Sequence, residues 1–242
     1  MSDWRNDASP VQGGTHRRVF GLLEPLVLLA VPVVAAVCAL YDVRATAFLT
    51  LALVVFCIVF ISLGVEADQP RLRQLMPVVV LAAVAAAGRL LFAAFPDVKP
   101  VSAIVIVAGA TLGRREGFAV GALCALVSNF YFGQGAWTPL QMYAWGLVGY
   151  LTGVLADHGI LNSLRSACVL GFLSAMLYGL VLNSWHVLGF VRPLTWQTAV
   201  AAFVTGFPLD VVHGVATVAF LSVIWSPWTR QLRRVVAKYG LG

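Results

Sequence analysis

Ionisable side chains lie inside apolar runs of this chain, where they could bind a ligand or take part in proton transfer. Arg89 follows a run of valines, leucines and alanines, and Asp210 lies three residues before His213 in the last apolar run. Residues three apart share a face of a helix, so Asp210 and His213 could hold a proton, a metal ion or a substrate group, or form a structural hydrogen-bonded pair. Arg89 could bind an anionic ligand, reach outward to water, or neutralise Asp97 or Asp210, because a charge in apolar surroundings needs a partner.

The most polar and aromatic stretch of the chain is NFYFGQGAWTPLQMYAWG, which runs from Asn129 to Gly146. Its amides Asn129, Gln134 and Gln141 have a counterpart in Asn183, at the end of a later apolar run. Tryptophans at such positions are typical of a membrane interface, but that explanation leaves the amides without a role. A pocket that stacks and hydrogen-bonds a planar or polar organic molecule accounts for both. The predicted substrate-binding residues are therefore Arg89, Asn129, Gln134, Trp137, Gln141, Asn183, Trp185 and Asp210.

Long apolar helices must position these side chains. Of the 242 residues, 60% are hydrophobic and 11% are charged, against about 25% charged residues in a soluble domain. A helix needs about 20 apolar residues to span a bilayer. We therefore predict an all-α integral membrane protein with about eight transmembrane helices, near residues 22–41, 46–64, 75–95, 101–113, 117–132, 139–157, 166–187 and 198–225. The fourth is too short to cross alone, and it either begins in the Pro96–Pro100 loop or is partly re-entrant.

Lysine and arginine determine the expected orientation, because short cytoplasmic loops retain them. With the N-terminus inside, twelve of these residues fall in cytoplasmic segments and three in outer loops. Both termini are therefore expected in the cytoplasm, with the polar stretch on the outer face. The net charge of +6 reflects these clusters and not a nucleic-acid partner. The chain divides into a flexible tail (1–19), two N-terminal helices (20–66), a six-helix core (75–226) and a basic cytoplasmic tail (227–242).

Several catalytic and nucleotide-binding motifs are absent from the sequence. It contains no G-x-x-x-x-G-K-[ST] phosphate loop and no H-E-x-x-H motif, so the chain is not expected to hydrolyse ATP. Gly133-Gln-Gly135 beside Trp-Thr-Pro predicts a turn. The cysteines share no ligand-like spacing and are predicted to be core residues: Cys38, Cys57, Cys124 and Cys168. No catalytic residue, metal or cofactor is assigned, and an enzyme is not expected.

Two pairs of alanines in the third span are spaced four residues apart. They are Ala82 with Ala86 and Ala83 with Ala87. Small residues at this spacing let another membrane helix approach closely. The alanines could serve packing within this protein or the docking of a different membrane subunit.

The sequence from Gly88 to Leu155 resembles the substrate-binding S component of energy-coupling factor (ECF) vitamin transporters. The resemblance rests on a Gly-Gln-Gly-x-Trp-Thr-Pro-x-Gln-Met signature, matched at Gly133, Gln134, Gly135, Trp137, Thr138, Pro139, Gln141 and Met142. It implies that residues 75–226 form the family's six-helix core and that the first two helices lie outside it. The family's docking motif on the first core helix would correspond to the two alanine pairs.

The resemblance also implies a location, the plasma membrane of a bacterium, and a function. An S component captures a vitamin or cofactor precursor outside the cell, and here the implied substrate is cobalamin or a related corrinoid or precursor. A transmembrane coupling subunit and two ATP-binding-cassette ATPases would supply the energy, which explains the missing phosphate loop. His186 or His213 could approach a corrinoid cobalt. Two alternatives stay open, an integral-membrane enzyme and an autonomous secondary transporter, both using Asp210 and His213.

Overall fold

The computed structural model describes residues 13–41, 46–67 and 72–239, and within them helices are joined by short loops and no strand occurs. The helices are α1 (Gly13–Leu40), α2 (Thr46–Ala67), α3 (Leu72–Leu91), α4 (Val101–Leu112), α5 (Arg114–Phe132), α6 (Trp137–Asp157), α7 (Leu164–Phe190) and α8 (Trp196–Tyr239). The predicted all-α fold is confirmed, and each helix overlaps one predicted span. Helix α1 begins within the predicted tail at 1–19, and α8 continues through the predicted tail at 227–242 as far as Tyr239. The first residues of the tail at 1–19 and the last residues of the chain lie outside the described residues.

Fewer helices are long and apolar enough to cross a membrane alone than the eight predicted. Four qualify among the described residues, namely α1, α2, α7 and α8, with mean hydropathies between 1.7 and 2.7 over their apolar windows. The apolar parts of α3 and α4 are shorter, at Leu75–Leu91 and Val101–Leu112. Length and packing explain the difference. Helix α4 is apolar but has only twelve residues, whereas α5 and α6 bury many of their residues against other helices and need less lipid-facing hydrophobicity.

Helix α4 forms the centre of the bundle. All residues from Val101 to Gly109 are buried, and the helix packs against α3, α5, α6, α7 and α8. Its twelve residues extend over about 18 Å at 1.5 Å per residue, which is less than a bilayer core of about 30 Å. Because protein surrounds it, α4 does not need to span the hydrocarbon. It begins directly after Pro100, which occupies the N-cap position.

The ends of the bundle differ in chemistry. We call the end with the loops at 92–100, 133–136 and 191–195 the aromatic end, since Phe132, Trp137, Phe190 and Trp196 border these loops. The opposite end, with Gly113, the loop at 158–163 and the last turns of α8, is the basic end. Arg114, Arg230 and Arg233 lie there.

Glycines allow α4, α5 and α6 to approach each other closely. A Cβ built on Gly149 of α6 would overlap the backbone carbonyl of Gly117 on α5, and one on Gly117 would lie 2.6 Å from the Cα of Gly109 on α4. Because the obstructing atoms belong to the backbone, no side-chain rotation can make room. These glycines therefore determine how tightly the central helices pack.

Substituting Gly149→Ala is expected to lower the thermal unfolding midpoint in detergent. The added methyl group has to separate α5 from α6, and overpacking of this kind costs about 1–3 kcal/mol. Leu151→Ile on the exposed face of the same helix serves as the control and is expected to leave the midpoint unchanged. An unchanged midpoint in Gly149→Ala would contradict the close packing described above.

The first two helices pack against the side of the core. Leu28 and Val31 of α1 and Cys57 of α2 share one apolar cluster with Phe118 of α5 and Tyr143 of α6. The Tyr143 hydroxyl donates a hydrogen bond of 2.8 Å to the Leu28 carbonyl. That carbonyl lies four residues before Pro32, which has no N–H to donate. Tyr143 therefore satisfies an acceptor that the α1 helix itself leaves open.

A buried ion pair joins α1 to α5 and α6 at the basic end. The Glu24 carboxylate is fully buried and accepts a hydrogen bond from Arg115 Nε. It also accepts a hydrogen bond of 3.2 Å from the Tyr150 hydroxyl. Arg114 Nε lies 3.6 Å from the same carboxylate. Arg115 also donates to the Gly64 carbonyl of α2 at 3.4 Å. Arg114 and Arg115 thus hold the α1–α2 hairpin to the core, a role that the count of loop charges did not reveal.

Candidate functional site

Arg89 lies in the last turn of α3 at the aromatic end, with only 8% of its surface exposed. Its Nη1 donates two hydrogen bonds to α5, to Ser128 Oγ and Asn129 Oδ1, both at 2.6 Å. Both distances are short, as is usual for hydrogen bonds from a charged donor. The arginine therefore points into the bundle and does not reach outward to water.

Aromatic rings flank the Arg89 guanidinium. Its Cζ lies 4.5 Å from the centroid of Phe132 and 5.0 Å from that of Trp145, both within the range of a cation–π interaction. Among the described residues no carboxylate lies within ion-pair distance of Arg89. Asp97 interacts with Arg89 only through longer-range electrostatics, so the predicted pairing of Arg89 with Asp97 or Asp210 is not found. The site consequently carries a buried positive charge without an acidic partner.

Asp97 and Lys99 lie in the loop between α3 and α4, above Arg89. Lys99 Nζ donates a 2.7 Å hydrogen bond to the Phe95 carbonyl. Partial burial raises the pKa of the Asp97 carboxyl despite the opposing effect of Lys99. The Lys99 ammonium is therefore held by a carbonyl of its own loop.

Asn129 links Arg89 to α6. Its side chain is fully buried. The Oδ1 atom accepts the hydrogen bond from Arg89, and the Nδ2 atom donates to Thr138 Oγ1 at 3.0 Å and to Gln141 Oε1 at 2.7 Å. The amide is thus oriented by partners on both sides. Three of the predicted substrate-binding residues, Arg89, Asn129 and Gln141, form one continuous hydrogen-bonded group.

A second polar group lies deeper in the bundle, around Ser102 at the start of α4. Its Oγ lies 2.8 Å from His213 Nε2 and accepts a 3.1 Å hydrogen bond from Trp145 Nε1. The Tyr178 ring contacts both the Trp145 and the His213 rings, with its centroid 4.7 Å from that of Trp145 and 5.3 Å from that of His213. Since Trp145 also contacts Arg89, the two polar groups share one aromatic wall.

Gln134 lies in the turn between α5 and α6 and Trp137 is the first residue of α6, both outside the Arg89 group. Gln134 Nε2 donates to the Leu126 carbonyl at 3.0 Å, and Trp137 Nε1 donates to the Gly133 carbonyl at 3.3 Å. Gly133 has a φ of 97°, which favours glycine, as the predicted turn requires. These two predicted substrate-binding residues hold the turn in shape and lie at the rim of the site.

Asn183 and Asp210 lie along the contact between α7 and α8. A Cβ built on Gly179 would overlap the Asp210 carboxylate, and one built on Gly206 would lie 2.9 Å from Asn183 Nδ2. Asp210 therefore faces α7, whereas His213 bonds to α4. The structure separates the two residues that the sequence pattern placed in one pair, because neighbouring helices approach α8 from different sides.

Trp185 faces the N-terminal hairpin and not the Arg89 group. Its Nε1 donates to the Ala47 carbonyl of α2 at 3.4 Å, and its ring packs on Phe190 with centroids 4.9 Å apart. His186 stacks on the same Phe190 ring at 6.0 Å. Neither residue reaches the polar groups around Arg89 and Ser102.

The four alanines predicted for docking divide between two faces of α3. Ala82 and Ala86 are buried in the main core, whereas Ala83 and Ala87 are exposed. Only the second pair can contact another subunit. The structure does not leave Ala82 and Ala86 exposed for docking, because the rotation of α3 in the bundle turns them toward the core.

Several residues of the site were not among the predicted substrate-binding residues. They are Ser102, Ser128, Thr138, Trp145 and Tyr178. One signal was available, since Thr138, Gln141 and Trp145 recur at intervals of three and four residues and so share a face of α6. No such signal marked Ser102 or Tyr178, because their partners lie on helices far away in sequence.

The site is a buried polar cluster lined by aromatic rings. Within residues 13–41, 46–67 and 72–239 no group of three His, Cys, Asp or Glu side chains is placed to hold a metal ion. The site instead presents a cation, amides, hydroxyls and aromatic faces. Such groups can pair with an acidic group, hydrogen-bond polar atoms and stack against a planar ring.

A protein family with the description "Family of unknown function (DUF6580)" matches residues 69–233, which is more than half of the chain. The match covers α3 to α7 and most of α8, including every residue of the two polar groups, and begins after the α1–α2 hairpin. No curated protein and no solved structure matches the chain.

Proposed function

The chain belongs to the DUF6580 family, and we propose that it is the substrate-binding subunit of an energy-coupling factor transporter. It takes up a vitamin or cofactor precursor from the aromatic end, which we place on the outer face of a bacterial plasma membrane. A transmembrane coupling subunit and two ATP-binding-cassette ATPases supply the energy. The buried cation Arg89, flanked by two aromatic rings and free of an acidic partner among the described residues, is the observation that carries the proposal.

Arg89 supports ligand binding because a buried charge without a counterion is costly. Its two hydrogen bonds to Ser128 and Asn129 use neutral acceptors, which compensate a charge less well than a carboxylate does. A ligand with a carboxylate or phosphate supplies the missing charge, and the planar guanidinium fork matches both groups. A protein that only needed a stable core would gain by an apolar residue at this position.

The groups around Arg89 restrict which ligand shapes would fit the site. Phe132 and Trp145 offer aromatic surface beside the charge, and Thr138 and Gln141 offer hydrogen bonds on the α6 side. Together they suit a planar molecule with an acidic group at its edge. Corrinoids and their precursors carry carboxylates or amides around a planar ring, so cobalamin or a related precursor stays our proposed substrate class.

The exposed face of α3 is our proposed contact for the coupling subunit. Ala83 and Ala87 lie on this face with exposed Val79, Val80 and Val84. Small residues next to branched ones provide a groove into which a partner helix can pack. The α1–α2 hairpin covers the α5–α6 side, which leaves α3 accessible.

Purification from the native membrane in mild detergent tests the proposal. We expect mass spectrometry to find a planar, acidic small molecule retained by the protein, together with one coupling subunit and two ATPases. An Ala83→Leu/Ala87→Leu variant is expected to keep the small molecule and lose the protein partners, whereas Leu173→Ala/Leu180→Ala on the exposed face of α7 serves as the control. The proposal is overturned if neither a ligand nor ATPases are recovered, or if cells without the ATPases still accumulate the substrate.

A further inference from the structure

A basic surface lies on the last turns of α8, at the end of the bundle opposite Arg89. Arg230, Arg233 and Arg234 follow each other at helical intervals and share one exposed face. Arg230 Nε donates to the Ser226 carbonyl at 3.1 Å. Among the described residues none of the three arginines lies within ion-pair distance of a carboxylate. Their charges are thus available to an anion from outside the chain.

Shallow cavities lie on both sides of Arg230. One of about 260 Å³ lies between α8 and the loop before α7, and the other, of about 370 Å³, lies on the far side of the arginine. The first is lined by Leu161, Asn162, Trp225, Ser226, Thr229, Arg230 and Arg233. The second is lined by Pro227, Arg230, Gln231 and Arg234. Neither cavity has an acidic residue in its lining.

The position of these cavities along α8 corresponds to a membrane surface. The helix has 44 residues and therefore extends over about 66 Å at 1.5 Å per residue, roughly twice the thickness of a bilayer core. Trp225 and Trp228 precede the arginines, and tryptophans concentrate at the interface of a membrane. The exposed apolar residues Val223 and Ile160 lie close to the first cavity in sequence.

We propose that this basic surface binds the headgroup of an anionic glycerophospholipid. Arg230 and Arg233 hold the phosphate in the 260 Å³ cavity, where the guanidinium forks match phosphate oxygens, and Asn162 borders the rest of the headgroup. The acyl chains lie along the apolar surface at Val223. A lipid fits better than a free phosphate because the cavity combines basic groups with neighbouring exposed apolar residues. The inference does not depend on the proposed function.

Lipid titration of the purified full chain in detergent tests this site. We expect phosphatidylglycerol to raise the thermal unfolding midpoint and to remain bound in native mass spectrometry, whereas phosphatidylcholine does neither. Arg230→Gln/Arg233→Gln is expected to weaken phosphatidylglycerol binding by about 10- to 30-fold, since each arginine near an anionic surface contributes about 1 kcal/mol. The control Arg165→Gln/Arg192→Gln changes the net charge equally at other exposed positions and is expected to keep the affinity.

The same titration distinguishes a lipid phosphate from a soluble phosphate as the ligand. Inorganic phosphate and glycerol phosphate are expected to leave the midpoint unchanged at concentrations where the lipid acts. The single variant Arg233→Gln provides a milder change if the double variant fails to fold, and it is expected to show an intermediate affinity. Three results would each overturn the proposal. They are equal effects of the two lipids, full stabilisation by soluble phosphate, and unchanged lipid affinity in both Arg233→Gln and the double variant.

Discussion

Replacing Arg89 with glutamine is expected to weaken binding of the retained ligand by at least about 30-fold, because removing one partner of a buried charged pair costs about 2–5 kcal/mol. Glutamine keeps hydrogen-bonding capacity toward Ser128 and Asn129 but removes the charge. The measurement is a calorimetric or fluorescence titration with the compound that mass spectrometry identifies. Arg192→Gln, at a position exposed in the loop after α7, is the matched control and is expected to bind normally.

Stability without ligand separates a binding role for Arg89 from a structural one. Because the charge is buried without an acidic partner, its removal is not expected to lower the unfolding midpoint of the ligand-free protein. Arg89→Lys is expected to restore only part of the affinity, since an ammonium group cannot form the planar two-bond contact of a guanidinium. A variant Arg89→Gln that unfolds more easily yet binds normally would show that the arginine serves the core and not the ligand.

Replacing Glu24 with glutamine is expected to destabilise the protein by about 3–5 kcal/mol, which is the usual cost of breaking a buried ion pair by removing one member. The change leaves the Arg115 guanidinium buried opposite a neutral group, and it weakens the hydrogen bond that the Tyr150 hydroxyl donates. Thermal or denaturant unfolding in detergent measures the effect. Asp157→Asn, an exposed carboxylate at the end of α6, is the control and is expected to change stability little.

A double variant tests whether the stability lost in Glu24→Gln comes from the ion pair between Glu24 and Arg115. Glu24→Gln/Arg115→Met removes both charges, and replacing a buried pair by neutral groups is often tolerated. We therefore expect the double variant to recover much of the stability lost in Glu24→Gln, which a double-mutant cycle expresses as a coupling energy. Independent, additive losses would mean that Arg115 is held mainly by other contacts, such as its bond to the Gly64 carbonyl.

The Glu24 group also bears on how the proposed transporter is assembled. It attaches α1 and α2 to α5 and α6, and Tyr143 adds a second attachment nearer the middle of the bundle. Because this side is occupied by the chain's own hairpin, a coupling subunit has to approach from α3 or another lipid-facing helix. We expect Glu24→Gln to affect folding before it affects recognition at Arg89, since the two groups lie at opposite ends of the bundle.

The helices and most of their ends could be predicted from the sequence, because hydropathy and polar breaks are local properties that lipid and water act on directly. The predicted spans miss the start of α1 and the last turns of α8, where the helices continue beyond the apolar residues. The same holds for Arg89, Asn129 and Gln141, since a charge or an amide in an apolar run is visible without knowing its neighbours. Asp97 and Asp210 are visible in the sequence in the same way, as the acids that could partner Arg89.

Only the tertiary structure decided which groups meet. The rotation of α3 about its axis turns Ala82 and Ala86 into the core and leaves Ala83 and Ala87 outside, and no local pattern distinguishes the two pairs. Glu24 meets Arg115 across 91 positions of the chain. Asp210 and His213, three residues apart, face different helices, because the packing of α7 and α4 around α8 determines the partner of each side chain. Spacing along a helix defines a shared face, but the neighbours that cover this face come from the whole fold.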